Sequence, residues 1–280
     1  GFRAGLTDEQ MLAMFRAHIR GSRHVPDHEI LAAIHRARYD YECGVPISAN
    51  RPLKAKSPVL TTEQKLLALK EFTKDSPEVT KEDIRSLSPI QLTGAPTQDG
   101  IAAFTHLWSP DDYLYIGTDK QYGIMGKTIR YVRDWNNLFT YLKRIHLSHI
   151  IPNPLTGEPG LDKTGDKLTY RGDSCVQQFK YAVVEFDDVP LEHQLAFWAT
   201  VDLPICALIH SGSKSVHGWV RVDGVEDEQS WSRVVRHELY SDFLVPLGAD
   251  PACQNPSRLS RMPGALRRNT VIQNVTLISL

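Results

Sequence analysis

Three segments bring together side chains able to bind cations and phosphate. The first is Tyr181-Ala-Val-Val-Glu-Phe-Asp-Asp188. As a strand it carries Tyr181, Val183, Glu185 and Asp187 on one face and Ala182, Val184 and Phe186 on the other. Two neighbouring carboxylates raise one another's pKa unless a cation joins them, so a divalent ion with oxygen ligands, magnesium or manganese, is an economical reading. The same acids also read as a solvated turn leading into a helix after Asp188-Val-Pro190.

The second segment, residues 205–222, is two apolar runs joined by the turn Ser211-Gly-Ser-Lys-Ser215. Alternation puts Ser215, His217, Trp219 and Arg221 on one face and Val216, Val220 and Val222 on the other. Hydroxyls, turn N–H groups, Lys214 and an imidazole suit a polyphosphate, and Trp219 could stack a base. A surface hairpin is the plainer reading, and the Walker phosphate loop is missing. The third segment, residues 249–268, adds the carboxylate of Asp250 and the guanidinium groups of Arg258, Arg261, Arg267 and Arg268, forks that grip phosphate in pairs of bonds. A surface turn with an Arg cluster is the alternative here. His146-Leu-Ser-His149 has the spacing of a metal pair but reads better as the polar face of a helix end.

The elements that must position these residues follow from periodicity. Residues 6–19 and 30–37 repeat apolar residues at helical spacing, and two capping signals, at Thr61-Thr62-Glu63 and Thr80-Lys81-Glu82-Asp83, open further helices. Strand signals take over from about residue 97. Residues 113–116 and 128–132 flank a Gly-containing turn as a hairpin, and 135–145 is helical. Residues 153–173 form a long polar segment, read as disordered or functional. Strands at 181–187, 205–210, 215–223 and 270–278, with helices at 191–199 and 228–243, complete a mixed α+β pattern with an antiparallel hairpin at its centre. A helical accessory region over 1–90 and a catalytic domain over 91–280 are expected.

Composition narrows the classes. The 280 residues carry 32 Lys plus Arg and 33 Asp plus Glu, a net charge of −1, which excludes a uniformly basic nucleic-acid coat. Residues 1–90 hold 14 basic and 12 acidic residues and the remainder 18 and 21, so neither part is a polyanion magnet. No apolar run suits a membrane span or a secretory signal. The four cysteines, at 43, 175, 206 and 253, lack a CxxC pair and read as reduced, cytoplasmic thiols.

Taken in order, Glu185-Phe-Asp187, Ser215-Val-His217 and Asp250 resemble the archaeo-eukaryotic primase superfamily, in which a strand ending in acid-x-acid precedes a Ser-x-His strand and a downstream Asp. The run Arg258-Leu-Ser-Arg-Met-Pro-Gly264 resembles the Arg-rich segment of many phage and plasmid primase-polymerases. The likeness covers about residues 100–280, and it departs from the usual pattern in having Glu where Asp is commoner at the first acid. It implies an RRM-like mixed or antiparallel sheet with flanking helices and an N-terminal helical region. It also implies two-metal nucleotidyl transfer with Mg2+ or Mn2+ on Glu185, Asp187 and Asp250, at which His217 also acts. Ser211, Ser213, Lys214, Ser215 and His217 would hold the phosphates of an NTP or dNTP, Arg258 and Arg261 would meet phosphate or a single-stranded DNA template, and residues 153–165 would form a substrate-facing loop. The chain reads as part of a longer protein, with a helicase fused or acting in trans. A metal-dependent nuclease or replication initiator, and a non-catalytic nucleic-acid-binding module, are the rival readings.

Overall fold

The computed structural model describes residue 34 and residues 60–162, 164–267 and 271–279. The two N-terminal helices lie outside these residues except at Ile34, which is helical and buried, and Cys43 and Arg268 also lie outside them. The chain divides between Val59 and Leu60 instead of near residue 90. The physical reason is burial: helices α1 (Thr62–Phe72) and α2 (Lys81–Ser86) sink Leu69 and Ile84 into the core of the C-terminal unit. Both helices begin with a capping box, Thr61 with Gln64 and Thr80 with Asp83, which satisfies the first free N–H groups.

Helix α3 (Pro96–Leu107) leads into the hairpin of β1 (Tyr113–Gly117) and β2 (Ile129–Tyr131), followed by α4 (Val132–Thr140) and β3 (His149–Ile150). The polar segment after Asn153 is not structureless, since β4 (Gly160–Leu161) and β5 (Leu168–Thr169) pair within it. Then come β6 (Tyr181–Val184), α5 (Leu191–Thr200), β7 (Ile205–His210) and β8 (Val216–Arg221). Helix α6 (Glu228–Trp231) continues into α7 (Ser232–Leu244), a wide π-type helix instead of the regular helix expected. Strands β9 (Ser260–Arg261), β10 (Leu266–Arg267), β11 (Val271–Ile272) and β12 (Asn274–Ile278) end the fold.

The central sheet has the order β12-β7-β8-β6, every pair antiparallel. Because β6 and β7 both run against β8, they are parallel to each other, and β6-α5-β7 is a split β-α-β unit with β8 inserted. The expected alternation holds along β6: Ala182 and Val184 join one core with Phe197, Trp231 and Tyr240, while Tyr181 and Val183 join the other with Trp108, Trp135 and Trp219. The sheet is thus buried on both faces, by helices on one and by α3, α4 and the second sheet, β2-β1-β3-β9, on the other. This burial corrects one expectation. Trp219 does not lie on an open polar face; it is fully buried, donates its indole N–H to Ser260 Oγ at 2.7 Å and packs edge-on against Trp108, so it cannot stack a base.

Candidate functional site

Strand β6 stops at Val184, three residues before the expected end, because its ladder with β8 stops at Gly218. Beyond it the carbonyl of Glu185 accepts the Asp250 N–H at 2.8 Å, which draws the downstream acid to the end of the strand. Asp188 then adopts a left-handed φ of 61°, a conformation uncommon outside glycine that turns the chain sharply toward α5. The β7–β8 turn closes through Gly212, whose φ of 79° and whose approach to Val271 and Ile272 leave no room for a Cβ.

Two buried amides that sequence reasoning missed lock these loops together. Gln194, on α5, donates to the carbonyls of Val189 and Lys214 at 2.7 and 2.9 Å and accepts the Val216 N–H at 2.9 Å. It therefore ties the acid-bearing turn to the hairpin turn. Asn153 donates to the carbonyls of Tyr181 and Pro256 and accepts the N–H groups of Lys180 and Tyr181, fixing the start of β6 against the loop that carries Arg258. Their only sequence signal was polarity in an apolar context, Gln194 within Leu191 to Trp198 and Asn153 after Ile150-Ile-Pro152.

Glu185 is the centre of the site. Its Oε1 lies 3.1 Å from His217 Nε2, although off the line of an ideal hydrogen bond, and accepts the Ser215 hydroxyl at 3.2 Å. Its Oε2 lies 3.9 Å from Arg258 Nη2, and the same nitrogen donates to Asp250 Oδ2 at 3.2 Å. Arg258 is thus a cation shared by two carboxylates, held further by Nη1 on the Ala252 carbonyl. Burial pushes the Glu185 carboxyl up, but His217 and then Arg258 and Arg261 more than reverse this and hold it at about 2. Asp187 is exposed, and its pKa is raised by partial burial and by the charges of Glu185, Asp250 and Asp188, against which Lys65 acts.

The remaining expected residues divide by position. Ser211 is buried and its Oγ receives the Ser215 N–H at 3.2 Å, so it braces the turn. Ser213 and Lys214 are exposed, and Lys214 borders a cavity of about 410 Å3 with Asp188 and Leu191. Arg261, on β9, faces His149 Nε2 at 2.8 Å. His149 belongs to β3 and not to a helix, while His146 is exposed. Arg267 ends β10.

The donor set fits a hard divalent cation in kind, since three carboxylates offer oxygen and the pKa of Asp187 is raised by burial and then by the neighbouring acids. Among the described residues, no group of three or more His, Cys, Asp or Glu side chains stands assembled to hold such an ion, and Arg258 supplies the positive charge between Glu185 and Asp250. Cys175, Cys206 and Cys253 are free and buried, and no described helix is long and apolar enough to cross a membrane. Set against family models, curated proteins and solved structures, the chain matched none.

Proposed function

We propose that the chain is a primase-polymerase, a nucleotidyltransferase that makes primers or extends DNA on a single-stranded template. The observation that carries this reading is the convergence of the ordered triplet on one carboxylate: Glu185 meets Ser215 and His217, its backbone meets Asp250, and Asp187 senses the charge of both acids. Its catalytic core would be an RRM-like sheet, a reading supported by the split β6-α5-β7 unit with β8 inserted.

In the reaction the oxygen of a primer 3′-hydroxyl bonds to the α-phosphorus of an NTP or dNTP. The anhydride bond to the β-phosphate breaks, pyrophosphate leaves and the hydroxyl proton passes to solvent. Glu185, Asp187 and Asp250 would hold two Mg2+ or Mn2+ ions, which supply a lowered hydroxyl pKa and neutralise phosphate charge when bound. His217 and Ser215 fix the Glu185 carboxylate in place, and His217 with Arg258 and Arg261 keeps it ionised. Lys214 and Ser213, exposed at the turn, meet the incoming phosphates, while Arg258 and Arg261 place cations beside the acids. Rate acceleration then comes from positioning and preorganised charge, without a covalent intermediate. Action in the cytoplasm is part of this reading, supported by the scatter of the four cysteines without a CxxC pair. A helicase, fused or in trans, is the expected partner.

The test is incorporation of labelled nucleotide on a primed and an unprimed single-stranded template with magnesium or manganese. Incorporation is expected, with a loss of at least 100-fold in Asp187→Ala. Template cleavage without incorporation would move the chain to the nucleases, and activity unchanged by Asp187→Ala would reject this acid cluster as the site.

A further inference from the structure

Beside the acid cluster lies a cavity of about 220 Å3 lined by Ile151, Arg171, Asn255, Ser257, Arg258 and Leu259. We infer that it is a binding site for a phosphoryl group, held chiefly by Arg171, with Arg258, already paired to Glu185 and Asp250, on its border. Arg171 was not among the residues singled out by sequence, and its surroundings are what point to a ligand. Its Nη1 donates to the Tyr115 hydroxyl at 2.9 Å, its Nη2 donates to the Asp119 carbonyl at 3.2 Å, and the guanidinium stands 5.1 Å from the centre of the Tyr115 ring. Every one of these partners is neutral. Among the described residues Arg171 makes no ion pair, so it is a cation held in place by neutral partners, with no carboxylate in direct contact. Its mount is rigid as well, since Tyr115 is fully buried in β1 with its hydroxyl 2.7 Å from the Thr118 carbonyl.

The opposite wall is made of neutral side chains whose donors are already engaged. Asn255 and Ser257 are anchored from behind by Asp173, whose Oδ1 accepts from Asn255 Nδ2, Ser257 N and Ser257 Oγ, so that carboxylate is engaged with the wall that it supports. Ile151 and Leu259 give the cavity apolar sides, where charge-assisted hydrogen bonds gain strength. At ~30 Å3 per water the volume equals roughly seven waters. That is room for a phosphoryl group but below the ~300 Å3 typical of sites enclosing a whole small molecule. The ligand is therefore one phosphoryl group of something larger, either the tail of a nucleoside triphosphate or the backbone of a single strand. The choice between these two rests on the nucleotidyl-transfer reading; the anion site does not.

The experiment uses the full 280-residue chain in EDTA, with tripolyphosphate in one calorimetric titration and a single-stranded oligothymidylate in another. Arg171→Ala is compared with Arg171→Gln, which keeps a polar NH2 donor while removing the charge, and thermal melting verifies that both are folded. We expect each folded variant to lose tenfold or more in affinity for at least one probe. Loss for tripolyphosphate alone identifies the nucleotide tail, loss for the oligonucleotide alone identifies the strand, and loss for both identifies a site that takes either. Unchanged affinity for both probes in folded Arg171→Gln overturns the inference. A chain that incorporates no nucleotide yet loses tripolyphosphate binding in Arg171→Gln would end the polymerase reading and leave the pocket standing.

Discussion

At Glu185 two effects oppose each other: burial favours the neutral acid, and the His217 contact, together with the charges of Arg258 and Arg261, favours the anion and wins. The folded value of about 2 lies below the ordinary 4.5, so the interaction stabilises the fold above pH 4.5 and is lost as pH falls through about 2. The difference corresponds to on the order of 3 kcal/mol. Glu185→Gln should therefore cost a few kcal/mol in urea melts at pH 6 and much less at pH 2.5. An equal cost at both would assign the stabilisation to packing and not to charge. Asp187 has the opposite sign. Its raised pKa means that ionisation opposes folding above the ordinary carboxylate range, so Asp187→Asn should leave stability at pH 7 equal or higher while activity is lost. An acid kept at a cost to stability is what a binding site demands, and Glu185 escapes that cost because His217 and Arg258 already stand against it.

At the scale of elements, the site depends on how three loops are tied and not on any one strand. The acid turn, the β7–β8 turn and the loop carrying Arg258 leave regular structure, and buried amides replace the lost ladder bonds. Gln194 alone serves three backbone groups. Gln194→Leu keeps the volume roughly constant but leaves two carbonyls and one N–H without partners, at about 1–3 kcal/mol for each buried group that water cannot reach. We expect a loss of about 3 kcal/mol in denaturant melts, with nucleotide incorporation reduced in the fraction that remains folded. A loss below about 0.5 kcal/mol would mean that the two turns are not coupled through this side chain.

The whole molecule is nearly neutral because its functional charges cancel: acids gather at the end of β6, and Arg171, Arg258 and Lys214 lie around them. Binding to a single strand should therefore be local, with about two to four phosphates neutralised. At ~0.7 per phosphate, the slope of log affinity against log salt should fall between about −1.5 and −3. A slope steeper than about −5 would indicate a broad basic surface instead. The sequence alone was enough to identify most elements and both faces of β6, because alternation and capping are local consequences of side-chain chemistry; the boxes at Thr61 and Thr80 formed where their residues indicated. It also grouped Glu185, Ser215, His217 and Asp250 before any distance was known. It did not reveal that Trp219 is sealed between layers, that residues 60–90 join the C-terminal unit, or that Arg258 links two acids. Arg171 was likewise invisible, since 79 residues separate it from Asp250 in the sequence and its role depends on Tyr115 of another sheet. Burial, shared counter-charge and the lack of an ion-pair partner are properties of neighbours in space, and only the tertiary structure decides who those neighbours are.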